Sequence, residues 1–375
     1  MEVPIPMPEL TLDPNRVIVG LSGGVDSAVA AHRLLEQGWM VEGLFMKNWE
    51  EDDAPGFCAA AEDLADAEAV ADRLGIRLHR VNFATEYWDR VFAYFLAEYR
   101  AARTPNPDVL CNREIKFRAF LDHALGLGAR WIATGHYARV VKTDGAYELR
   151  LAADANKDQT YFLYLLDQQQ LAHARFPLAD LTKSEVRALA RRLGLANAEK
   201  KDSTGVCFIG ERRFAEFLQR WLPTGSGTIE TPEGRVVGEH RGLAYHTIGQ
   251  RQGLGIGGVA GGAEAPWFVA DKDVARNVLI VVQGADHPLL FSSGCDGEQL
   301  HWIAGRPPGQ APFECLCRLR HRQPLQRCTI VTYDDVCCRV RFAEPQRAVT
   351  PGQSAVFYRH DICLGGCVVT AASNI

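Results

Sequence analysis

The chain has 375 residues, of which 47% are hydrophobic and 23% charged, with a net charge of −5. That length supplies cores for two or three domains, and no apolar run approaches the ~20 residues that span a bilayer. Eleven cysteines, an odd number in so long a chain, do not describe a disulfide scaffold, so reduced thiols are expected. The segment from Met1 to Arg16 is proline-rich and lacks the basic start and apolar stretch of a secretory signal. The expectation is a cytoplasmic protein with no membrane partner.

Arg16 to Gly135 reads as alternating strands and helices. Val17 to Leu21 is a short apolar run closed by glycines, the pattern of a buried parallel strand. Val25, Ala28, Val29, Ala31, Leu34 and Leu35 then recur at helical spacing until Gly38. Met40 to Met46 reads as a strand, Ala59 to Leu74 as a helix, Leu78 to Phe83 as a strand and Glu86 to Ala101 as a helix. Pro105 and Pro107 predict an extended loop, followed by a helix over Glu114 to Leu127 and a strand from Trp131 to Thr134. Such alternation predicts a parallel sheet covered on both faces. Leu178 to Gly194 reads as a helical extension opened by the capping box Thr182-Lys183-Ser184-Glu185. After Trp221 glycines and prolines multiply. In the last segment Val336, Cys338, Val340 and Phe342 alternate with Cys337, Arg339 and Arg341, the period of a strand. The predicted fold is therefore an α/β catalytic domain over residues 1–222, a small β-rich central domain over 223–284, and an antiparallel β-barrel over 285–375.

Ser22-Gly23-Gly24-Val25-Asp26-Ser27 lies between the first strand and the first helix. Glycines let a backbone approach a phosphate, and a helix N-terminus aims unpaired N–H groups at it. Ser22 and Ser27 add hydroxyl donors, and Asp26 suits a magnesium ion riding on the phosphates. This is not a Walker A loop, since no lysine stands in it. The hexapeptide resembles the PP-loop of ATP pyrophosphatases, which implies cleavage between the α- and β-phosphates and adenylation of a substrate oxygen.

Cys111 follows Asn106-Pro107-Asp108, with Arg113 and Lys116 close behind and Asn112 placed as an N-cap. A helix N-terminus and nearby cations lower a thiol pKa, so Cys111 is a candidate reactive thiol. Cys207, in Lys201-Asp202-Ser203-Thr204-Gly205-Val206-Cys207, is a second, flanked by polar and glycine-containing sequence. The other nine cysteines read as packing. His246 reads as structural.

The segments 22–27, 44–53, 104–117, 133–137, 156–164, 202–213, 245–258 and 350–358 resemble the tRNA-specific 2-thiouridylase family, and the likeness runs through nearly the whole chain after Arg16. That resemblance implies ATP-dependent 2-thiolation of uridine 34 in tRNA. It implies a persulfide on Cys207, a resolving thiol at Cys111 that forms a disulfide with it, and an acid–base role for Asp108. It matches Gly20, Leu21, Ser22, Gly23, Gly24, Val25, Asp26, Ser27, Met46 and Gly135 to the nucleotide site. It matches Asn106, Pro107, Asp108, His136, Lys157, Asp158, Gln159, Arg320, His321 and Gln353 to tRNA contact. ATP and Mg²⁺ are the implied cofactors, and a persulfide-carrying sulfur-relay protein is the implied partner besides tRNA, with no DNA involved. An iron–sulfur cluster on Cys111 and Cys207 stays open, although no third cysteine adjoins either. Arg318, Arg320, His321, Arg322 and Arg327 make an acid-free basic stretch suited to an RNA backbone. Two rivals stand beside this reading. One is a PP-loop synthetase acting on a small molecule, as argininosuccinate or GMP synthetase does; the other is a non-catalytic tRNA-binding protein with a relic nucleotide fold.

Overall fold

The computed structural model describes residues 12–50, 59–201, 214–222, 225–256 and 265–374. The chain forms two compact units, one of Met1–Trp88 with Cys111–Ser203 and the other of Asp89–Leu110 with Thr204–Ile375.

In the first unit the apolar runs become strands β1 (Asp13–Gly20), β2 (Met40–Lys47), β3 (Leu78–Asn82) and β4 (Ala129–Ala133). The hairpin β5 (Arg139–Thr143) and β6 (Ala146–Arg150) follows, then the short β7 (Ala174–Arg175). The parallel sheet runs β3-β2-β1-β4-β7. Val17, Ile18 and Val19 of β1 have no exposed surface, because helices cover both faces. Helix α1 (Val25–Glu36) is buried all round at Ala28, Val29, Ala30 and Ala31, between the sheet and neighbouring helices. Connections leave β1 toward β2 on one side and β4 on the other. The order thus reverses beside the carboxyl end of β1, where open parallel sheets bind ligands.

Two helical expectations need correction. The stretch expected as one helix from Glu86 comprises Ala84–Tyr87, a π-helical turn Trp88–Phe92 and Ala93–Arg100. The extended loop expected across both prolines ends at Asn106, because Pro107 itself opens a helical run. That run is Pro107–Leu110, the π-helical Cys111–Ala119 and Phe120–Gly126. Proline at the first helical position gives up no hydrogen bond, and Asn106 Oδ1 accepts the Asp108 N–H at 3.2 Å to cap the start.

The second unit holds two β modules. Strands β8 (Gly227–Glu230), β9 (Val236–His240), β10 (Trp267–Asp273) and β11 (Val278–Gln283) form a sheet in the order β10-β11-β8-β9. Ile229, Val269, Leu279 and Val281 fill its core without exposure. Strands β12 (Phe291–Trp302), β13 (Phe313–Arg318), β14 (Gln326–Tyr333), β15 (Cys338–Arg347), β16 (Ser354–Arg359) and β17 (Ile362–Ser373) form a barrel, closed by pairing of β12 with β17. The expected alternation holds from Cys338 to Phe342, while Val336 sits exposed in the preceding turn. Cys295, Cys317, Cys328, Cys338 and Cys367 pack inside the barrel with Ile330, Val340 and Phe357. Residues 89–110 belong to this unit, where Phe92 packs on Phe95, Phe217 and Trp221 at centroid distances of 5.6–5.9 Å.

Candidate active site

The loop 22–27 has the conformation its glycines permit. Gly23 takes φ +74°, and a Cβ on it would lie 2.5 Å from the Asp63 carbonyl oxygen, so no other residue fits without displacing backbone. Gly24 precedes α1 in extended conformation, and among the described residues no side chain caps the helix, which leaves its first N–H groups for a ligand. Ser27 Oγ donates to the Gly24 carbonyl at 2.9 Å and accepts the Ser22 N–H at 3.3 Å, which fixes the loop, while the Ser22 side chain is exposed. Gly135, just past β4, packs on the loop so closely that a Cβ would stand 2.7 Å from Asp26 C and Ser27 N. A Cβ at Gly20 would touch Met46 Cε at 3.2 Å, so those nucleotide-site candidates adjoin each other at the strand ends.

Asp26 is held from two directions. Tyr137 donates its hydroxyl at 3.0 Å, and Lys183 Nζ lies 2.7 Å from both carboxylate oxygens. The loop without a lysine of its own thus receives one from the far helix Lys183–Arg192. There Thr182 and Glu185 form the expected reciprocal capping box and Lys183 takes the first helical position. Sequence reading found the cap and missed the contact, as it missed Tyr137. The donor set suits a nucleotide phosphate: uncapped amides, hydroxyls and one ammonium. One loop carboxylate also suits magnesium, which usually takes one or two carboxylates beside phosphate oxygens and waters.

His136 is buried, with Nδ1 2.8 Å from Thr134 Oγ1, and packs near Phe117 and Phe176. Burial, and then the charge of Lys116, push its pKa well below the ordinary value, so the imidazole is neutral at physiological pH. Asp158 and Gln159, matched to tRNA contact, each hold a neighbouring backbone group. Asp158 is buried and accepts the Ala152 N–H at 3.0 Å and the Thr160 hydroxyl at 2.7 Å. Gln159 Oε1 accepts the Tyr137 N–H at 3.0 Å, so it supports the tyrosine that holds Asp26. Lys157 is half-buried in the turn before them.

Cys111 is buried and lies one turn inside the helical run that begins at Pro107. Activation by a helix N-terminus therefore does not apply to it. Arg113 and Arg118 both pair with Glu114, which offsets their charge. Asn112 is no N-cap: its Nδ2 donates to the Phe162 carbonyl at 3.0 Å, while its buried Oδ1 has no partner among the described residues. Cys207 lies outside the described residues, as do Asp202 and its neighbours through Arg213. Among the described residues no group of three or more His, Cys, Asp or Glu side chains is placed to hold a metal ion.

In the second unit, Gln353 Nε2 donates to the carbonyls of Thr104 at 2.8 Å and Pro105 at 3.4 Å, just before Asn106. Arg320 is exposed and donates to the carbonyls of Ile248 and Ala348 at 3.3 and 3.2 Å. The basic stretch is a turn more than a strand, for Arg320, His321 and Arg322 follow the end of β13. Arg318 is buried beneath it, with its guanidinium 5.5 Å from the Tyr358 ring centroid, and does not face an RNA.

Three family models match in order along the chain. They are a tRNA methyl transferase HUP domain over residues 15–211, its PRC-barrel domain over 215–283 and an aminomethyltransferase β-barrel domain over 292–369. A tRNA-specific 2-thiouridylase MnmA of Tolumonas auensis is 61% identical over 355 residues, covering 94% of this chain and 96% of that protein. The chain belongs to the tRNA-specific 2-thiouridylase family. The relative of the same description from Methylococcus capsulatus is 59% identical over 360 residues, with 96% and 97% covered. The solved structures that align with it are remote. A U34-tRNA thiolase, NcsA, from Methanococcus maripaludis aligns at 19% identity with a TM-score of 0.33 over 52% of this chain and 62% of that one. An NMN synthetase from Francisella tularensis aligns at 20% identity with a TM-score of 0.32 over 50% and 66%. Family membership at this level disfavours the small-molecule synthetase.

Proposed function

We propose that the chain forms 2-thiouridine at position 34 of tRNA, consuming ATP to make the uracil O2 a leaving group and taking sulfur from a cysteine persulfide. Kinship over nearly the full length with 2-thiouridylases carries this reading, and the phosphate-ready loop with its Asp26–Lys183 pair supports the ATP half.

A carbonyl oxygen leaves poorly. Bonded to the α-phosphate of ATP, with pyrophosphate released, it leaves as AMP. The backbone from Gly20 to Ser27, with Met46 and Gly135, holds the nucleotide. Ser22 and the open amides donate to its phosphates, Ser27 holds the loop in shape for them, and Lys183 places positive charge beside them. Magnesium, when bound through Asp26, neutralises phosphate charge.

Cys207 carries the persulfide, loaded by a separate relay protein. Its outer sulfur bonds to C2 as AMP departs. The Cys111 thiolate then attacks the inner sulfur, forming a Cys111–Cys207 disulfide and leaving the outer sulfur on the base as the thiocarbonyl. A dithiol or two monothiol equivalents return both cysteines to the reduced state, with two electrons transferred. Asp108 serves as the acid–base group. The target base leaves its stack to be reached. Asn106, Pro107, His136, Lys157, Gln159, Arg320 and His321 make tRNA contacts, whereas the buried Asp158 acts from within the scaffold.

The test is mass analysis of nucleosides after incubating the purified chain with unmodified tRNA, ATP and a persulfide donor. One 2-thiouridine per AMP is expected. AMP release that depends on a small substrate and leaves uridine 34 unchanged overturns the reading.

A further inference from the structure

The short segment Ala102–Pro105, which leads into Asn106-Pro107-Asp108, is gripped by the two β modules at the Ala102 carbonyl, at all three polar atoms of Thr104 and at the Pro105 carbonyl. Lys272 of β10 reaches out to donate Nζ to the Ala102 carbonyl at 2.8 Å. Ala102 itself stands at φ 56°, the left-handed region that non-glycine residues seldom occupy, and packs against the core of the central sheet. The Thr104 N–H donates to the Pro351 carbonyl at 2.9 Å, and its hydroxyl meets that of Thr247 at 3.3 Å. Its carbonyl, with that of Pro105, takes the Gln353 amide. Gly352 (φ 92°) crosses so close that a Cβ there would lie 2.8 Å from Thr104 N. The gripping turn is itself pinned to β17, since Gly352 N donates to the Val369 carbonyl and Val369 N to the Gln353 carbonyl, each at 2.8 Å. Pro105 and Pro107 stiffen the backbone beyond Thr104, so a shift there passes on to Asp108 with little loss.

We propose that Lys272, Thr247 and Gln353 are positioning residues that clamp the base of the 106–108 loop, so that the central sheet and the barrel orient the residues meeting the target base. Burial lowers the Lys272 pKa to about 8, in keeping with an ammonium whose hydrogen bond goes to a carbonyl. This proposal rests on the thiolation reading for its kinetic consequence alone.

The experiment compares the full-length wild type with Gln353→Leu, Thr247→Val and Lys272→Met by single-turnover thiolation, tRNA binding and hydrogen exchange of the 103–110 segment. Loss of one clamp bond is expected to cut the rate at saturating tRNA roughly tenfold. The KM for tRNA should stay within about twofold, and exchange at the Thr104 and Asp108 amides should quicken. Lys272→Arg, which keeps a donor, should recover part of the rate. Three results overturn the clamp: unchanged exchange in 103–110, an unchanged rate, or, for Gln353→Leu, a raised KM with intact kcat. Should Lys272→Met fail to fold, Thr247→Val and Gln353→Leu decide the matter. If the wild type makes no thiouridine, the function falls, and exchange alone then judges the clamp.

Discussion

Replacing Lys183 by methionine keeps the length and apolar stem of the side chain and removes one charge from the phosphate loop. In the structure Nζ lies 2.7 Å from both oxygens of Asp26, with the lysine side chain 12% exposed and the aspartate 31%. This pair stands between an exposed ion pair, worth about 0–1 kcal/mol, and a buried one whose rupture costs about 3–5 kcal/mol. A loss of about 1–2 kcal/mol follows, or a fall in Tm of roughly 3–6 °C for a domain of this size. The effect on catalysis should be larger. A cation facing phosphate charge that develops during transfer contributes on the order of 3 kcal/mol, so AMP formation in the presence of tRNA should drop about a hundredfold. Asp26→Asn added to Lys183→Met removes the uncompensated carboxylate and should restore most of the stability without restoring AMP formation. The assay is pyrophosphate release with tRNA and ATP, paired with a melting curve. A folded Lys183→Met enzyme that releases pyrophosphate at the wild-type rate refutes the assignment, and Lys183 is then only a strut for Asp26.

Cys207→Ser should abolish thiouridine while AMP still forms, since serine cannot carry a persulfide; loss of both products would make Cys207 structural. During one turnover without reductant, peptide mapping should find Cys111 joined to Cys207, and thiouridine formed with both thiols reduced would remove the resolving role. Arg320→Ala and Arg322→Ala should each lower the log–log salt slope of tRNA binding by about 1, whereas Arg318→Ala should leave the slope and lower Tm through a lost cation–π contact of about 0.5–2 kcal/mol. Burial, followed by the charges of His240 and Lys272, lowers the His246 pKa to about 4 from 6.5. The unfolded chain therefore binds this proton more readily, so the stability that His246 contributes is whole above pH 6.5 and lost as pH falls toward 4. The loss is at most about 3 kcal/mol. Denaturant melts of wild type and His246→Gln over that range should converge, and parallel curves would contradict it.

Much of the fold was written locally. Val17 to Leu21 and the alternation after it imply a parallel sheet because burial on both faces demands unbroken apolar strands. The Thr182–Glu185 cap was legible because its two partners are three residues apart. What escaped depends on distance or context. Lys183 meets Asp26 across 157 positions, and nothing at either end announces the other. Pro107 looked like a breaker because its role turns on whether Asn106 caps it. Arg318 counted as surface charge because a sequence does not reveal that its guanidinium lies near the Tyr358 ring beneath a turn. The β5–β6 hairpin is too short and weakly patterned to stand out. That Asp158 and Gln159, matched to RNA, also hold Thr160 and Tyr137 depends on the folded turn and has no sequence signal.

The cysteines inside the barrel give the protein a chemical clock for its own unfolding. Cys337 is exposed in the turn before β15 while its neighbour Cys338 is buried. Burial raises the pKa of Cys295 well above the ordinary value; for Cys367 a hydrogen bond with Cys338 comes first and burial second. Desolvation and the charge of Asp334 raise the Cys337 pKa too, so its exposure is what lets an alkylating reagent reach it in the folded protein, whereas Cys295 and Cys367 are reached only when the barrel opens. The spread of label from one residue to the others, timed by mass spectrometry, measures how often the barrel breathes, with Cys337 as the internal reference for reagent strength.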